Sequence, residues 1–202
     1  MPQPLTPAPY THVPPPSTIK WTRHQCRAIQ ESGVLTGRYE LIEGEIISKM
    51  GQNRPHSYVV TQVAVWLFAL FGGQFVLIQQ PILLLGEDNE MSEPEPDGAV
   101  LRQPAAAYRD ETPSASEALL VVEVSDSTLR FDQNTKTALY SRSGIPEYWV
   151  IDITKRQIFV YRDPAPSGYQ SVAVYAPDEE IATLARPEQA IRVADLLPLL
   201  SL

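Results

Sequence analysis

Two carboxylates in this sequence stand at positions where a charge is costly unless something compensates it. Ala118-Leu119-Leu120-Val121-Val122 runs through five apolar residues into Glu123 and Val124, the pattern of a strand covered on both faces. An unpaired charge on such a strand carries a heavy desolvation cost. Asp97 follows Pro96 and enters Gly98-Ala99-Val100-Leu101, a short strand able to lie beside the first. Carboxylates placed side by side repel each other and lose solvation, and a divalent cation relieves both problems. Mg²⁺ or Mn²⁺ suits an all-oxygen site of this kind, with waters completing the shell. Asp97 and Glu123 are therefore the candidate metal ligands.

The next group follows Glu123. Asp132 and Lys136 are spaced i, i+4 and Tyr140 continues the same helix face. A lysine beside a metal-carboxylate site could orient an attacking water or offset charge developing on a phosphate. Two structural alternatives stand beside this: Asp132 as the N-cap of its helix, and Glu123 as a carboxylate satisfied by pairing with Lys136. Glu40 shares a strand face with Ile42 by alternation, a mild sign of a site. His56 falls at a helix start, where capping or simple exposure is the expectation. His12 and His24 form no pair at metal-ligand spacing, and Cys26 reads as a small core residue. As the one cysteine, it excludes an internal disulfide framework and a multi-thiolate zinc site. The sequence holds no glycine-rich phosphate loop and no G-x-S-x-G elbow, which disfavours nucleotide hydrolases and serine α/β-hydrolases.

Positioning these groups takes strands and helices in a particular order. A helix capped by Ser17 or Thr22 is expected to end by Gly33, with Cys26 near its buried side. Arg38 to Ile42, a Glu43-Gly44 turn and Glu45 to Ser48 predict a β-hairpin. His56 to Phe71 predicts a helix opened by Pro55 and closed by Gly72-Gly73; its apolar residues go most of the way round, so cover on several sides is expected. Phe75 to Leu85 reads as a strand bent near Pro81. Strands follow at 98–102 and 118–124, then a helix from Asp132 to about Ser143 that stops at Gly144. Glu147 to Ile153, Gln157 to Arg162 and Tyr169 to Tyr175 read as further strands, with a short last segment over 193–200. The crossover from Val124 to Tyr148 implies an α/β fold with a mixed sheet.

Of the 202 residues, 44% are apolar and 20% charged, enough for a sizeable core and inconsistent with wholesale disorder. Seven of the 19 prolines fall in residues 1–16, predicting a proline-rich disordered arm ahead of a single domain over 17–202. The net charge of −8 argues against a broad basic nucleic-acid surface, but six of the 24 acidic residues lie within Glu87 to Asp97. The basic candidates for DNA contact, Arg38, Lys49, Arg54, Arg102, Arg130 and Arg142, form no run, so modest and salt-sensitive affinity is expected. The longest apolar stretch, Val59 to Phe71, falls short of the roughly 18–20 residues of a membrane span. There is no secretory pattern at the N-terminus. A cytoplasmic protein with no membrane contact is the expectation.

Taken in order, Tyr39-Glu40-Leu41-Ile42-Glu43-Gly44-Glu45-Ile46, Pro96-Asp97, Glu123-Val124-Ser125, Asp132 with Lys136, and Gly144-Ile145-Pro146-Glu147-Tyr148-Trp149-Val150-Ile151-Asp152 resemble the Uma-type restriction-endonuclease family of the PD-(D/E)XK nuclease superfamily. The resemblance covers about residues 19–175. It implies a restriction-endonuclease-like fold, with a central mixed β-sheet flanked by helices and an N-terminal β-hairpin, and Mg²⁺-dependent hydrolysis of DNA phosphodiesters. Residue by residue, it makes Asp97 and Glu123 the metal ligands and Glu40 a helper carboxylate. Ser125 stands where the superfamily usually has its lysine, and the resemblance assigns that role to Lys136. The departure leaves a second reading open, a nuclease-like module of low or no turnover used in binding or assembly. Cutting both strands with one site per chain would be easiest for a two-fold homodimer.

Overall fold

The computed structural model describes residues 18–49, 51 and 53–198; the predicted proline-rich arm lies outside them. Thr22 caps helix α1 (Arg23–Glu31) through a capping box with Gln25, and Cys26 is its buried residue. The predicted hairpin follows as β1 (Tyr39–Ile42) and β2 (Glu45–Ser48), paired from Ile42 opposite Glu45 to Tyr39 opposite Ser48. Its two turn residues, Glu43 and Gly44, have φ of 49° and 79°, the positive values that a tight two-residue hairpin turn requires.

Asn53 accepts a hydrogen bond from the His56 amide to cap α2 (Arg54–Phe71), with proline in its first turn. Gly72 ends α2 at φ 85°. Val59, Val60, Val63 and Leu67 are buried against the sheet. Among the described residues nothing covers the side of α2 that carries Tyr58, Val65 and Phe68, which remain exposed; this differs from the expectation drawn from the helix's all-round apolar pattern.

The strand expected over 75–85 is reduced to β3 (Val76–Leu77). Gln79 sits at φ 53° and Pro81 has no amide to donate, so the chain leaves the ladder after Leu77. A short helix, α3 (Asp88–Met91), precedes β4 (Gly98–Leu101). The acidic segment between them docks on the hairpin like a partial strand. The amide of Glu93 donates to the Leu41 carbonyl at 2.7 Å and that of Gly44 to the Met91 carbonyl at 2.7 Å, which fixes the hairpin to the domain although it belongs to a separate sheet.

The central sheet has the order β3-β4-β5-β6-β7-β8, completed by β5 (Ala118–Ser125), β6 (Glu147–Asp152), β7 (Gln157–Arg162) and β8 (Ser171–Tyr175). The β5–β6 pair is parallel and the other neighbours are antiparallel, so the sheet is mixed. A two-stranded sheet of β9 (Glu180–Ile181) and β10 (Ile191–Arg192) lies near the C-terminus. One face of the main sheet, with Val122, Val124, Trp149 and Ile151, packs on α2 and on Val193, Leu196 and Leu197. The other, with Val121, Tyr148 and Val150, packs on Leu139, Tyr140 and Ile42.

The crossover between β5 and β6 departs from its prediction. Helix begins at Leu129, not Asp132: a turn of α-helix, α4 (Leu129–Phe131), leads into a π-helical turn over Asp132–Lys136 and then α5 (Thr137–Arg142). The amide of Thr137 bonds back to the Asp132 carbonyl five residues earlier, the wide spacing that defines a π-turn. That carbonyl also accepts from Thr137 Oγ1 at 2.8 Å and Tyr148 OH at 3.1 Å.

Among the glycines, Gly44 of the hairpin turn has the least room for a side chain. A Cβ on Gly44 would lie 2.7 Å from Lys20 Cβ and 2.8 Å from Met91 Cε. Gly44→Ala is expected to lower unfolding free energy by about 1–3 kcal/mol in urea denaturation; a change of only a few tenths would contradict this packing.

Candidate active site

The β4–β5 register decides where the two candidate ligands meet. Gly98 lies opposite Val122, so Asp97 and Glu123, one residue further along each antiparallel strand, come side by side. Both are buried, at 5% and 4% exposure. Asp97 is held from three directions: Oδ1 accepts from Gln79 Nε2 at 2.9 Å, Oδ2 accepts from the Val124 amide at 2.9 Å, and His56 Nε2 lies 3.3 Å from Oδ2. These donors hold the Asp97 carboxyl below the usual range against the burial that would raise it. The left-handed backbone at Gln79 persists because its two polar ends are used, the amide by Asp97 and the carbonyl by Arg38 at 3.2 Å.

Glu123 faces the crossover helix. Its Oε1 accepts from Lys136 Nζ at 2.8 Å and from Tyr140 OH at 2.9 Å. Lys136 also donates to Glu40 Oε1 at 3.0 Å, so one buried ammonium joins hairpin, central strand and crossover. Glu40 Oε1 further accepts from the Glu95 amide at 2.7 Å and lies 3.5 Å from Lys49 Nζ. Burial is the largest influence on Glu123 and pushes its carboxyl up to about 8, with Glu40, Asp132 and Asp97 adding to it and Lys136 opposing. Burial would lower Lys136, yet Glu123, Glu40 and Asp132 carry it above the ordinary lysine range. Both directions fit one arrangement. The lysine stays charged between Glu40 and Glu123, and Glu123 takes both of its hydrogen bonds at Oε1 rather than Oε2. Among the described residues nothing hydrogen-bonds to that second oxygen.

Asp132 is brought near the site but does not cap the helix. Its Oδ2 accepts from Ser125 Oγ at 2.7 Å and Thr128 Oγ1 at 2.6 Å, both side-chain donors, because the π-turn places it inside the helical run. The same turn explains how Lys136 and Tyr140 converge on Glu123 while Asp132 is turned to the strand end. Burial raises the Asp132 carboxyl, opposed by Lys136 and the two hydroxyls.

A cleft of about 750 Å³ opens onto these groups, lined among others by Arg38, Glu40, Lys49, His56, Gln79, Asp97, Glu123, Asp132 and Lys136. All four residues singled out as Asp97, Glu123, Lys136 and Glu40 thus border one cavity. Of the six scattered basic candidates, Arg38 and Lys49 border it too. Arg142 is engaged by Asp88 and Glu43, and Arg102 by the Ser116 carbonyl. Among the described residues, no group of three or more His, Cys, Asp or Glu side chains is arranged to hold a metal ion; the pair Asp97 and Glu123 is a two-carboxylate set.

His56 is the principal residue that sequence reading misplaced. Its side chain is not exposed at the helix start but supports Asp97, and its Nδ1 is buried with no partner among the described residues. Asp97 raises the His56 ring above its usual value against burial. Gln79 carried no site signal in the sequence and Lys49 only that of a scattered basic residue, whereas Tyr140 lay on the Asp132–Lys136 stripe and could have been included.

A mixed sheet with two carboxylates at adjacent strand ends, and a lysine from the crossover helix over them, defines a nuclease-like α/β protein. The match to a known family is correspondingly long: residues 34–194 fit Uma2, described as "Putative restriction endonuclease". The chain belongs to the Uma2 family. Among solved structures it is similar to a protein from Anabaena variabilis described as a "putative nuclease belonging to DUF820", with TM-score 0.61, 19% identity, and coverage of 83% of this chain and 96% of that one. At that identity the likeness speaks for the fold. No curated protein matches. No helix among the described residues is long and apolar enough to cross a membrane.

Two outcomes test this geometry. Lys136→Met leaves Glu40 and Glu123 buried without their cation and is expected to cost about 3–5 kcal/mol of stability in urea denaturation, part of which returns when Glu40→Gln and Glu123→Gln are added. An unchanged midpoint for the single variant would contradict the buried cluster. For His56, a raised folded value means stabilisation that is complete below the unfolded value near 6.5 and lost as pH rises through the folded one. Wild type should therefore exceed His56→Gln in chelator-treated denaturation below about pH 6.5, and the gap should narrow at higher pH. A gap that widens with pH would reverse the assignment.

Proposed function

We propose that this chain is a divalent-metal-dependent endonuclease hydrolysing DNA phosphodiester bonds, with Asp97 and Glu123 as the cation ligands. The observation that carries the reading is the side-by-side placement of these two carboxylates at one end of β4 and β5, on a cleft bordered by Arg38 and Lys49. Their donor chemistry fits Mg²⁺, with Mn²⁺ also accepted, because both supply carboxylate oxygen and Glu123 Oε2 has no hydrogen-bond partner among the described residues. When bound there, the cation would supply an activated water and charge neutralisation at the scissile phosphate.

The chain's own residues divide the remaining work. Gln79, His56 and the Val124 amide fix the orientation of Asp97, while Lys136 and Tyr140 occupy Glu123 Oε1 and so direct its second oxygen to the cleft. Lys136 takes the place of the lysine absent at Ser125 by holding Glu123 and the helper Glu40 in register. Arg38 and Lys49 lie where a phosphate backbone would pass; both are partly engaged by Glu95, which keeps their pull on DNA modest. A two-fold assembly would bring two such sites to one duplex.

A second reading is a module of the same fold with low or no turnover. It is favoured by one observation, the burial of the Lys136 ammonium between Glu40 and Glu123, which commits two of its three N–H donors to holding carboxylates rather than a substrate. Incubation with supercoiled plasmid decides between them. The nuclease reading expects nicking or linearisation with Mg²⁺ or Mn²⁺, none in EDTA, and losses of about 10²–10³-fold for Asp97→Asn and Glu123→Gln. Metal-dependent cleavage that survives both substitutions would overturn the ligand assignment, and its absence from folded wild type with either metal would leave the second reading standing.

A further inference from the structure

Helix α2 has an apolar face that nothing in the described chain covers. No Asp, Glu, Lys or Arg occurs from Pro55 to Phe71, and the one titratable side chain on the inner face there, His56, is turned to Asp97, so the outer face of this helix is uncharged although the chain as a whole carries −8. One face is in the core. The other presents Tyr58, Thr61, Val65 and Phe68, with Tyr58, Val65 and Phe68 exposed at 42%, 59% and 43%. Thr61 belongs to the stripe as a methyl group, because its hydroxyl donates to the Ser57 carbonyl of its own helix at 2.8 Å. The spacing of three, four and three residues is the seam along which two helices pack.

We propose that a second copy of this chain covers the stripe, with the two α2 helices antiparallel about a two-fold axis beside Val63. A two-fold interface must be self-complementary, each residue meeting a partner that meets it in return, and this stripe has that symmetry. With the axis at 63, Tyr58 faces the partner's Phe68 and Thr61 faces the partner's Val65. Bulky aromatics meet at the two ends and smaller side chains at the crossing point, where two helix axes approach within about 8–10 Å. The flanks agree. Gln62 meets the partner's Ala64, so no charge is buried.

The ends supply charge complementarity. Arg54, the one Lys or Arg on α2, is exposed at the helix N-terminus and comes opposite the partner's Gly72, where the last turn leaves carbonyl oxygens and the negative end of the helix dipole. Antiparallel helix dipoles also attract. The acidic excess of the chain opposes self-association, but no carboxylate lies on the stripe itself.

The area predicts a weak assembly. Half-exposed side chains of these sizes supply roughly 300–400 Å² per chain, below the approximately 800 Å² per partner of a standard stable interface. The dimer should therefore form in a concentration-dependent way, in the micromolar range or weaker. His56 lies seven residues from the axis, so the two clefts would sit roughly 20 Å apart along the helix pair. The inference stands on α2 alone and holds whether or not the site cleaves DNA.

Analytical ultracentrifugation of the metal-free full chain over about 1 μM to 1 mM tests it, against a monomer mass of 22.5 kDa. The mass is expected to rise toward twice that value. Val65→Glu, which sets a carboxylate against the partner's Thr61, should hold the mass at the monomer value with circular dichroism unchanged. Thr61→Lys added to Val65→Glu creates two opposed charge pairs in this register and should restore association. Wild type that stays monomeric throughout, Val65→Glu that still dimerises, or a double variant that does not recover would each overturn the proposal.

Discussion

The Lys136 ammonium, 3% exposed, lies 2.8 Å from Glu123 and 3.0 Å from Glu40, and the surrounding fold is arranged to meet the demands of these three buried charges. A buried ion is tolerated only when paired and hydrogen-bonded, and removing one member strands the others. Three separate pieces of chain must therefore arrive together: the hairpin with Glu40, the central strand with Glu123, and the crossover with Lys136. The hairpin makes no strand pairing with the main sheet, and Lys136 is one of the ties that hold it there, beside the backbone bonds from the acidic segment to Leu41 and Gly44.

Geometry at the strand ends follows from register. Antiparallel pairing of β4 with β5 sets Asp97 against Glu123, and parallel pairing of β5 with β6 requires a crossover that returns over that end of the sheet. The π-turn in the crossover is the local adjustment. It lets Lys136 and Tyr140 both reach Glu123 while Asp132 is bound by Ser125 and Thr128. Irregular turns of this type concentrate at functional sites because they re-aim side chains that a regular helix would place elsewhere. Asp97 and Glu123 end up in contrasting settings, one carboxyl held down by three donors and the other pushed up by burial. Contrasting carboxylates in one cleft are the sort of pair that functional sites use.

Much of this was legible in the sequence where a local rule applied. The Glu43-Gly44 turn, the Thr22 cap, the Gly72 stop and the apolar run into Glu123 each correspond to an observed element. The carboxylate in that run was a sound pointer because a charge in a buried strand demands a partner. Features that depend on tertiary geometry were not legible. Gln79 adopts a left-handed backbone that no local signal announces, and the strand expected over 75–85 stops two residues before it, at Leu77. His56 looked like an exposed helix start because its partner, Asp97, is 41 positions away. The π-turn has no composition of its own, so Asp132 read as a cap. The all-round apolar pattern of α2 did imply cover, and one face of that helix has none within the described chain.

The central claim is that Glu123, braced at one oxygen by Lys136 and Tyr140, offers the other with Asp97 to a divalent cation. Titration of Mn²⁺ into the protein, followed by electron paramagnetic resonance of the free ion, tests this without reference to turnover. Saturable binding to wild type that weakens by at least about tenfold in both Asp97→Asn and Glu123→Gln, with fold retained, is the predicted result. No binding to wild type, or equal binding in the variants, would contradict it.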